Sequence, residues 1–157
     1  MFYSERMITS DAITWTAPND DHPARSASQR SYSAVAKGDL AEWLTVYAED
    51  AVLEDPVGPS MFDPEGKGHH GHEGIAAFWE KAIAPIAKFE FEIYESFANP
   101  GSNTCANIGR IRTSFPDGSH TTTELIMVYV VHDDGRVASM KAYWEPDRTM
   151  ASFTAAS

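Results

Sequence analysis

Cysteine is nearly absent from this sequence, with Cys105 standing alone among 157 residues. One thiol cannot close an intramolecular disulfide, and Cys105 has no companion at a metal-ligand spacing, so a disulfide-stapled scaffold and a cysteine metal centre are excluded. Basic residues are scarce too: 12 Lys and Arg face 23 Asp and Glu, for a formal charge of −11. Such a surface repels phosphate backbones and anionic lipid heads, so neither nucleic acid nor a membrane surface is expected as a partner. No apolar run reaches the ~20 residues that span a bilayer. The opening MFYSERMITSDAITWTAPNDD has neither a basic start nor an uninterrupted apolar stretch. Together with the cysteine usage, this predicts a cytoplasmic protein. What is present is ordinary: 43% hydrophobic and 22% charged residues in 17.3 kDa specify one folded core rather than a disordered or fibrous chain.

Residues 1–22 lack a sustained period and are expected to form an N-terminal tail, followed by a single domain over 23–150 and a C-terminal tail over 151–157. Asp21 is the expected cap of a first helix with Pro23 in its first turn, ending near Lys37-Gly38. Asp39 caps a second helix in which Leu40, Trp43, Leu44 and Tyr47 share a face. AVLED at 51–55 reads as a brief strand stopped by Pro56, and the Gly-, Pro- and His-rich stretch to Gly71 reads as a loop. A third helix runs from Glu73 with Ile75, Phe78, Trp79 and Ile83 on one side. Beyond Pro85 the chain reads as sheet. KFEFEIYESF alternates strictly, and three further runs follow, the last two hairpin junctions carrying Pro116-Asp117-Gly118 and Asp133-Asp134-Gly135.

The segments GDLAEWLTVYAEDAVLEDPVG, GHEGIAAFW and GRVASMKAYW, in this order within residues 24–147, resemble the ketosteroid isomerase-like (SnoaL-like) branch of the nuclear transport factor 2-like superfamily. The resemblance implies an α+β fold in which a curved antiparallel sheet wraps three helices of the N-terminal half into a cone with an apolar mouth. Isomerases, polyketide cyclases, hydrolases, dehydratases and non-catalytic binders share that cone, so fold alone leaves the chemistry open.

Carried over residue by residue, the resemblance makes Asp55 the base that moves a proton between carbons of a carbonyl compound. Partial burial on an apolar wall raises a carboxylate pKa and suits it to a weak carbon acid. The competing reading has Asp55 hydrogen-bonding the turn at Pro56 and Gly58. The isomerase scheme also needs a tyrosine and a protonated aspartic acid to receive the charge that develops on oxygen. Counted without gaps from Gly38 and Ser139, those two places fall on Ser31 and Met127, so both donors are missing. Tyr32 lies one residue away, a rotation of ~100° on a helix. Tyr47, Trp79 and Trp144 are the other candidate donors, each of which also reads as core. Met127, Met140, Ala142 and Trp144 fall on the strand faces that the resemblance turns inward, as an apolar wall.

His69, His70 and His72 sit too close together in a Gly-rich loop to converge on an ion, so no metal is expected and a place over the cone mouth is, where His69 or His70 meets ligand. His120 and His132 read as surface residues, and Glu124 as facing solvent or a partner chain. Ile126, Val128 and Val130 alternate with the inward residues of their strand and leave an outer apolar stripe, which predicts a homodimer. The expected function is cofactor-free proton transfer on an apolar, polycyclic carbonyl compound, a steroid or a polyketide. The alternatives are a non-catalytic binder of hydrophobic small molecules and a polyketide cyclase or hydratase-type lyase.

Overall fold

The computed structural model describes residues 8–9 and 12–157. Strands β1 (Ile8–Thr9) and β2 (Ile13–Trp15) precede helix α1 (Pro23–Lys37) and helix α2 (Leu40–Val46). The tail expected over 1–22 therefore carries a strand in its described part, and Trp15 is fully buried; residues 1–7, 10 and 11 lie outside the described residues. His22, rather than Asp21, caps α1, with its Nδ1 accepting from the Ala24 amide at 3.1 Å. Pro23 needs no partner for a missing N–H, and Gly38 closes the helix in the left-handed conformation that only glycine adopts cheaply. Asp39 caps α2 by accepting from the Glu42 amide at 3.0 Å.

Strand β3 (Tyr47–Glu54) begins four residues before the expected AVLED run. Tyr47 was expected on the second helix by its spacing, but pairing with Val137 draws its backbone into the sheet, where tertiary context overrides local pattern. The expected loop contains β4 (His69–His70), which pairs with Val52 and Leu53. Helix α3 (Gly71–Phe78) follows and continues as a π-helical turn over Trp79–Ile83.

The meander is β5 (Lys88–Phe97), β6 (Thr104–Ser114), β7 (His120–Val131) and β8 (Val137–Tyr143), closed by α4 (Pro146–Ala151). One sheet runs in the order β1-β2-β5-β6-β7-β8-β3-β4. Its middle is antiparallel as expected, but β2 pairs parallel with β5 and β3 pairs parallel with β8. Both pairs join strands separated by long crossovers, the condition under which parallel pairing is available. The C-terminal stretch is held as well: Thr154 bridges His120, and Ser152 Oγ bonds the Thr122 backbone.

Burial in β7 alternates along its whole length, with Leu125, Met127, Tyr129 and Val131 buried between less buried neighbours. That face meets α1, and the opposite face carries charge: Arg110 lies 3.5 Å from both Glu92 and Glu124, and the Tyr94 hydroxyl donates to Glu124. A bulge between Ile93 and Glu95 bends the sheet. Gly109 sits opposite Ile93, where an added Cβ would lie 2.2 Å from the Glu92 carbonyl. The close strand approach at this bend requires glycine.

Candidate functional site

Between the helices and the inner sheet face lies a cavity of about 240 Å³, near the lower end for small-molecule sites, so a ligand would be closely contacted. Its walls are mostly aliphatic and aromatic. Asp55 is the single carboxylate among the lining residues. Successive strand residues point to opposite faces: Glu54 turns outward to within 3.9 Å of Lys141, and Asp55 turns into the cavity.

Asp55 Oδ1 accepts a 2.6 Å hydrogen bond from the Trp144 indole. The turn after Asp55 is bonded separately, by Val57 N to the Ala142 carbonyl at 2.9 Å, so the carboxylate is spent on the cavity wall rather than on its own turn. Burial raises the Asp55 pKa from 3.8 to about 6, and the Trp144 bond opposes that rise. The group therefore sits near the point where it can both take and return a proton at neutral pH.

Ser31, Tyr32, Tyr47, Met127, Met140 and Trp144 all line the cavity with Asp55. Trp79 and Ala142 do not. Trp79 is buried against Trp43 with ring centroids 5.1 Å apart, and Ala142 is fully buried without reaching the lining. Ser31 Oγ accepts from the Trp43 indole at 2.9 Å and keeps its own proton, on the side of the Tyr47 hydroxyl. No helix rotation is needed for Tyr32: on α1 both Ser31 and Tyr32 reach the cavity.

The expected aspartic-acid place holds Met127, and two phenols lean on its thioether. The hydroxyls of Tyr32 and Tyr129 point at Met127 Sδ from 3.5 and 3.9 Å. Tyr47 contributes a third buried hydroxyl, which neighbours the Ser31 hydroxyl without a hydrogen bond of good geometry. Burial pushes the pKa of all three phenols up, so each keeps its proton and remains a donor. Tyr129 was missed as a site residue, although it shares the inward parity of Met127 two positions earlier. Asn107 was missed because a polar residue inside a strand carries no periodic signal of its own; the register sets it directly opposite Met127.

The histidine cluster stands elsewhere. His70 Nε2 bonds the Lys67 carbonyl, His72 Nε2 bonds the Tyr47 carbonyl, and the His69 ring packs on Phe78, so none of them lines the cavity. The expected ligand contact by His69 or His70 is not found among the lining residues: His69, paired with Leu53, shares the inward face but packs on Phe78, which itself lines the wall, and His70 bonds back to its own loop.

Residues 28–140 match the SnoaL-like domain. The steroid Delta-isomerase of Nocardioides simplex is 34% identical over 122 residues, covering 78% of this chain and 89% of that protein. Among solved structures, the Delta 5-3-ketosteroid isomerase from a Mycobacterium species superposes with a TM-score of 0.74 at 32% identity, over 84% of this chain and 97% of that one. The Rv0760c protein of Mycobacterium tuberculosis, solved in complex with estradiol-17beta-hemisuccinate, superposes with a TM-score of 0.75 at 30% identity, over 85% and 99% of the two chains. With this fold, the inward Asp55 after β3 and the match across most of its length, the chain belongs to the SnoaL-like domain family as a ketosteroid isomerase-like member of the nuclear transport factor 2-like superfamily.

Proposed function

We propose that the protein is an isomerase that moves a proton between carbons of an apolar, polycyclic 3-oxo compound of the steroid class, with Asp55 as the base. The observation that carries the reading is the Asp55 carboxylate itself: the one acid of an apolar cavity, with its pKa raised to about 6 and its orientation held by the Trp144 indole. Ionised Asp55 takes a proton from the carbon next to the carbonyl. The C–H electron pair becomes the double bond of a dienolate, and the charge develops on oxygen. Asp55 then returns the same proton to the far carbon of the conjugated system, so the double bond shifts and no co-reactant is consumed. The phenols gathered around Met127 supply donors for the oxygen, in a cavity where they need no reorganisation as charge develops. Base and donors are side chains, so the reading calls on no cofactor. The steroid named with each of the three relatives supports this choice of ligand class.

The test follows conversion of a 5-ene-3-oxo steroid to its conjugated 4-ene isomer by ultraviolet absorbance. Wild type should catalyse it, and Asp55→Asn should reduce turnover by about a thousandfold or more while still binding steroid. Steroid binding without turnover in wild type would instead favour the non-catalytic binder, a reading supported by the absence of both customary donors at Ser31 and Met127. A cyclase or hydratase-type lyase would leave the steroid unchanged and act on a polyketide.

A further inference from the structure

Behind the cavity wall lies a buried polar cluster that proton transfer at Asp55 does not use. Arg25, Ser28, Ser96 and Asn107 are each 5% exposed or less, and Cys105 is fully buried beside them. Arg25 is a buried cation whose bonds in this cluster go to neutral acceptors: Nε donates to Ser96 Oγ at 2.8 Å, Nη2 to the Ser96 carbonyl at 3.3 Å, and Nη1 to the Asp20 carbonyl at 2.7 Å.

The direction of the hydrogen bonds follows from counting protons. A guanidinium only donates, so Ser96 Oγ accepts from Arg25 and has one proton left to give. Its next contact is Cys105 Sγ at 3.5 Å. The thiol proton in turn goes to Asn107 Oδ1 at 3.2 Å. With its carbonyl on the thiol, Asn107 presents Nδ2 to the other side, where it reaches Ser28 Oγ and Tyr32 Oη, each at 2.9 Å. Ser28 independently fixes this orientation of the amide, because its own proton is committed to the Arg25 carbonyl at 2.7 Å and it must accept. Tyr32 Oη therefore accepts from Asn107, and its proton is left facing the cavity. There it points at the Met127 thioether, a weak acceptor at 3.5 Å, with the Tyr129 hydroxyl as its polar neighbour.

We propose that this one-directional chain, Arg25 to Ser96 to Cys105 to Asn107 to Tyr32, holds the Tyr32 hydroxyl proton toward the cavity and makes Tyr32 the donor that a ligand carbonyl oxygen meets in place of Met127 Sδ. Chained donors polarise one another in a low-dielectric interior, and a buried cation at the far end favours negative charge at the cavity end. Tyr32 is the catalytic donor; Asn107 and Arg25 are positioning residues. The steroid part of the proposal rests on the isomerase reading above, but the chain itself does not.

The experiment therefore has a ligand-free arm. Cys105 is the one cysteine of the sequence, so the S–H stretching band of the infrared spectrum reports on it alone. A thiol donating to Asn107 gives a lowered, broadened band, and Asn107→Leu should restore the frequency of a free thiol; an unchanged band in a folded variant overturns the chain. Should Asn107→Leu fail to fold, Asn107→Ala serves the same comparison, and Arg25→Met should narrow the wild-type band by breaking the chain at its origin. The second arm binds testosterone and reads its single carbonyl stretch. Wild type should lower that frequency relative to Tyr32→Phe, and Asn107→Leu should lose part of the shift. In turnover, Tyr32→Phe should cost about a hundredfold in kcat. Asn107→Leu should cost about tenfold in kcat with little change in KM, and less than about twofold when added to Tyr32→Phe. Equal effects of Asn107→Leu in both backgrounds would reduce Asn107 to a packing residue and overturn its role. A bound testosterone whose carbonyl is indifferent to Tyr32→Phe overturns Tyr32 as the donor. Failure of testosterone to bind at all counts against the steroid reading and the Tyr32 assignment together, while the thiol band still decides the chain.

Discussion

Trp144 and Asp55, 89 residues apart in the chain, meet through a 2.6 Å hydrogen bond from the indole nitrogen to Oδ1 of the carboxylate. Burial raises the carboxylate pKa to about 6, and this bond restrains the rise because it is made to the charged form. Activity should therefore appear as pH rises through about 6, where Asp55 ionises. Trp144→Phe removes the restraint, so the acid limb of the pH–rate profile should move to higher pH. A limb that moves down, or stays in place, would show that the indole does not act on the base.

Asp55 should cost stability at neutral pH. Its folded pKa of about 6 lies above the ordinary 3.8. Below 3.8 the group is protonated whether the chain is folded or not, and no cost arises. Between these values the folded chain keeps a proton that the unfolded chain gives up, so stability falls as pH rises, and above about 6 the full cost is present. Asp55→Asn should therefore stabilise the protein by up to about 3 kcal/mol at pH 8 and by well under 1 kcal/mol near pH 4. Thermal melts at the two pH values check the sign; a variant less stable at pH 8 would contradict it.

Met127→Asp should raise the isomerisation rate, by up to about a hundredfold, through one added donor. Met127 is 2% exposed between the Tyr32 and Tyr129 hydroxyls, so a carboxyl there stays protonated and donates. The gain should vanish when Asp55→Asn is added. An unchanged rate in a variant that still binds steroid would place the ligand oxygen away from Met127.

Gly109→Ala should destabilise the fold by about 2 kcal/mol or more, since its Cβ has no space beside the Glu92 carbonyl at the bend of the sheet. Urea denaturation measures the loss, and a midpoint within error of wild type would mean that the strands separate at little cost.

We further propose that the outer sheet face joins two copies of the chain. Ile126 and Tyr143, cross-strand partners on β7 and β8, are 44% and 46% exposed, an apolar pair that a second copy would cover. Light scattering should report about twice 17.3 kDa, and Ile126→Asp should return the mass to that of one chain. A wild-type monomer at micromolar concentration would remove the proposal.

Much of this molecule is local, and what is local was legible in the sequence. Strict alternation marked β5, the family resemblance turned Met127 of β7 inward, Pro23 and Gly38 bracketed the first helix, and the Glu-Asp-Pro-Val-Gly run placed a carboxylate at a strand end. The resemblance apart, each follows from a period or a backbone preference that a few neighbouring residues express. What tertiary structure alone decided depends on residues far apart. Tyr47 left its helical pattern because β8 offered a partner, and His69 and His70 became a strand because β3 did. Trp15 entered the core through parallel pairing of β2 with β5. The same holds at the site: Trp144 reaches Asp55 across 89 residues and Asn107 reaches Tyr32 across 75. A side chain's hydrogen-bond partner is set by which strands pair and in what register, and local pattern carries no record of that choice.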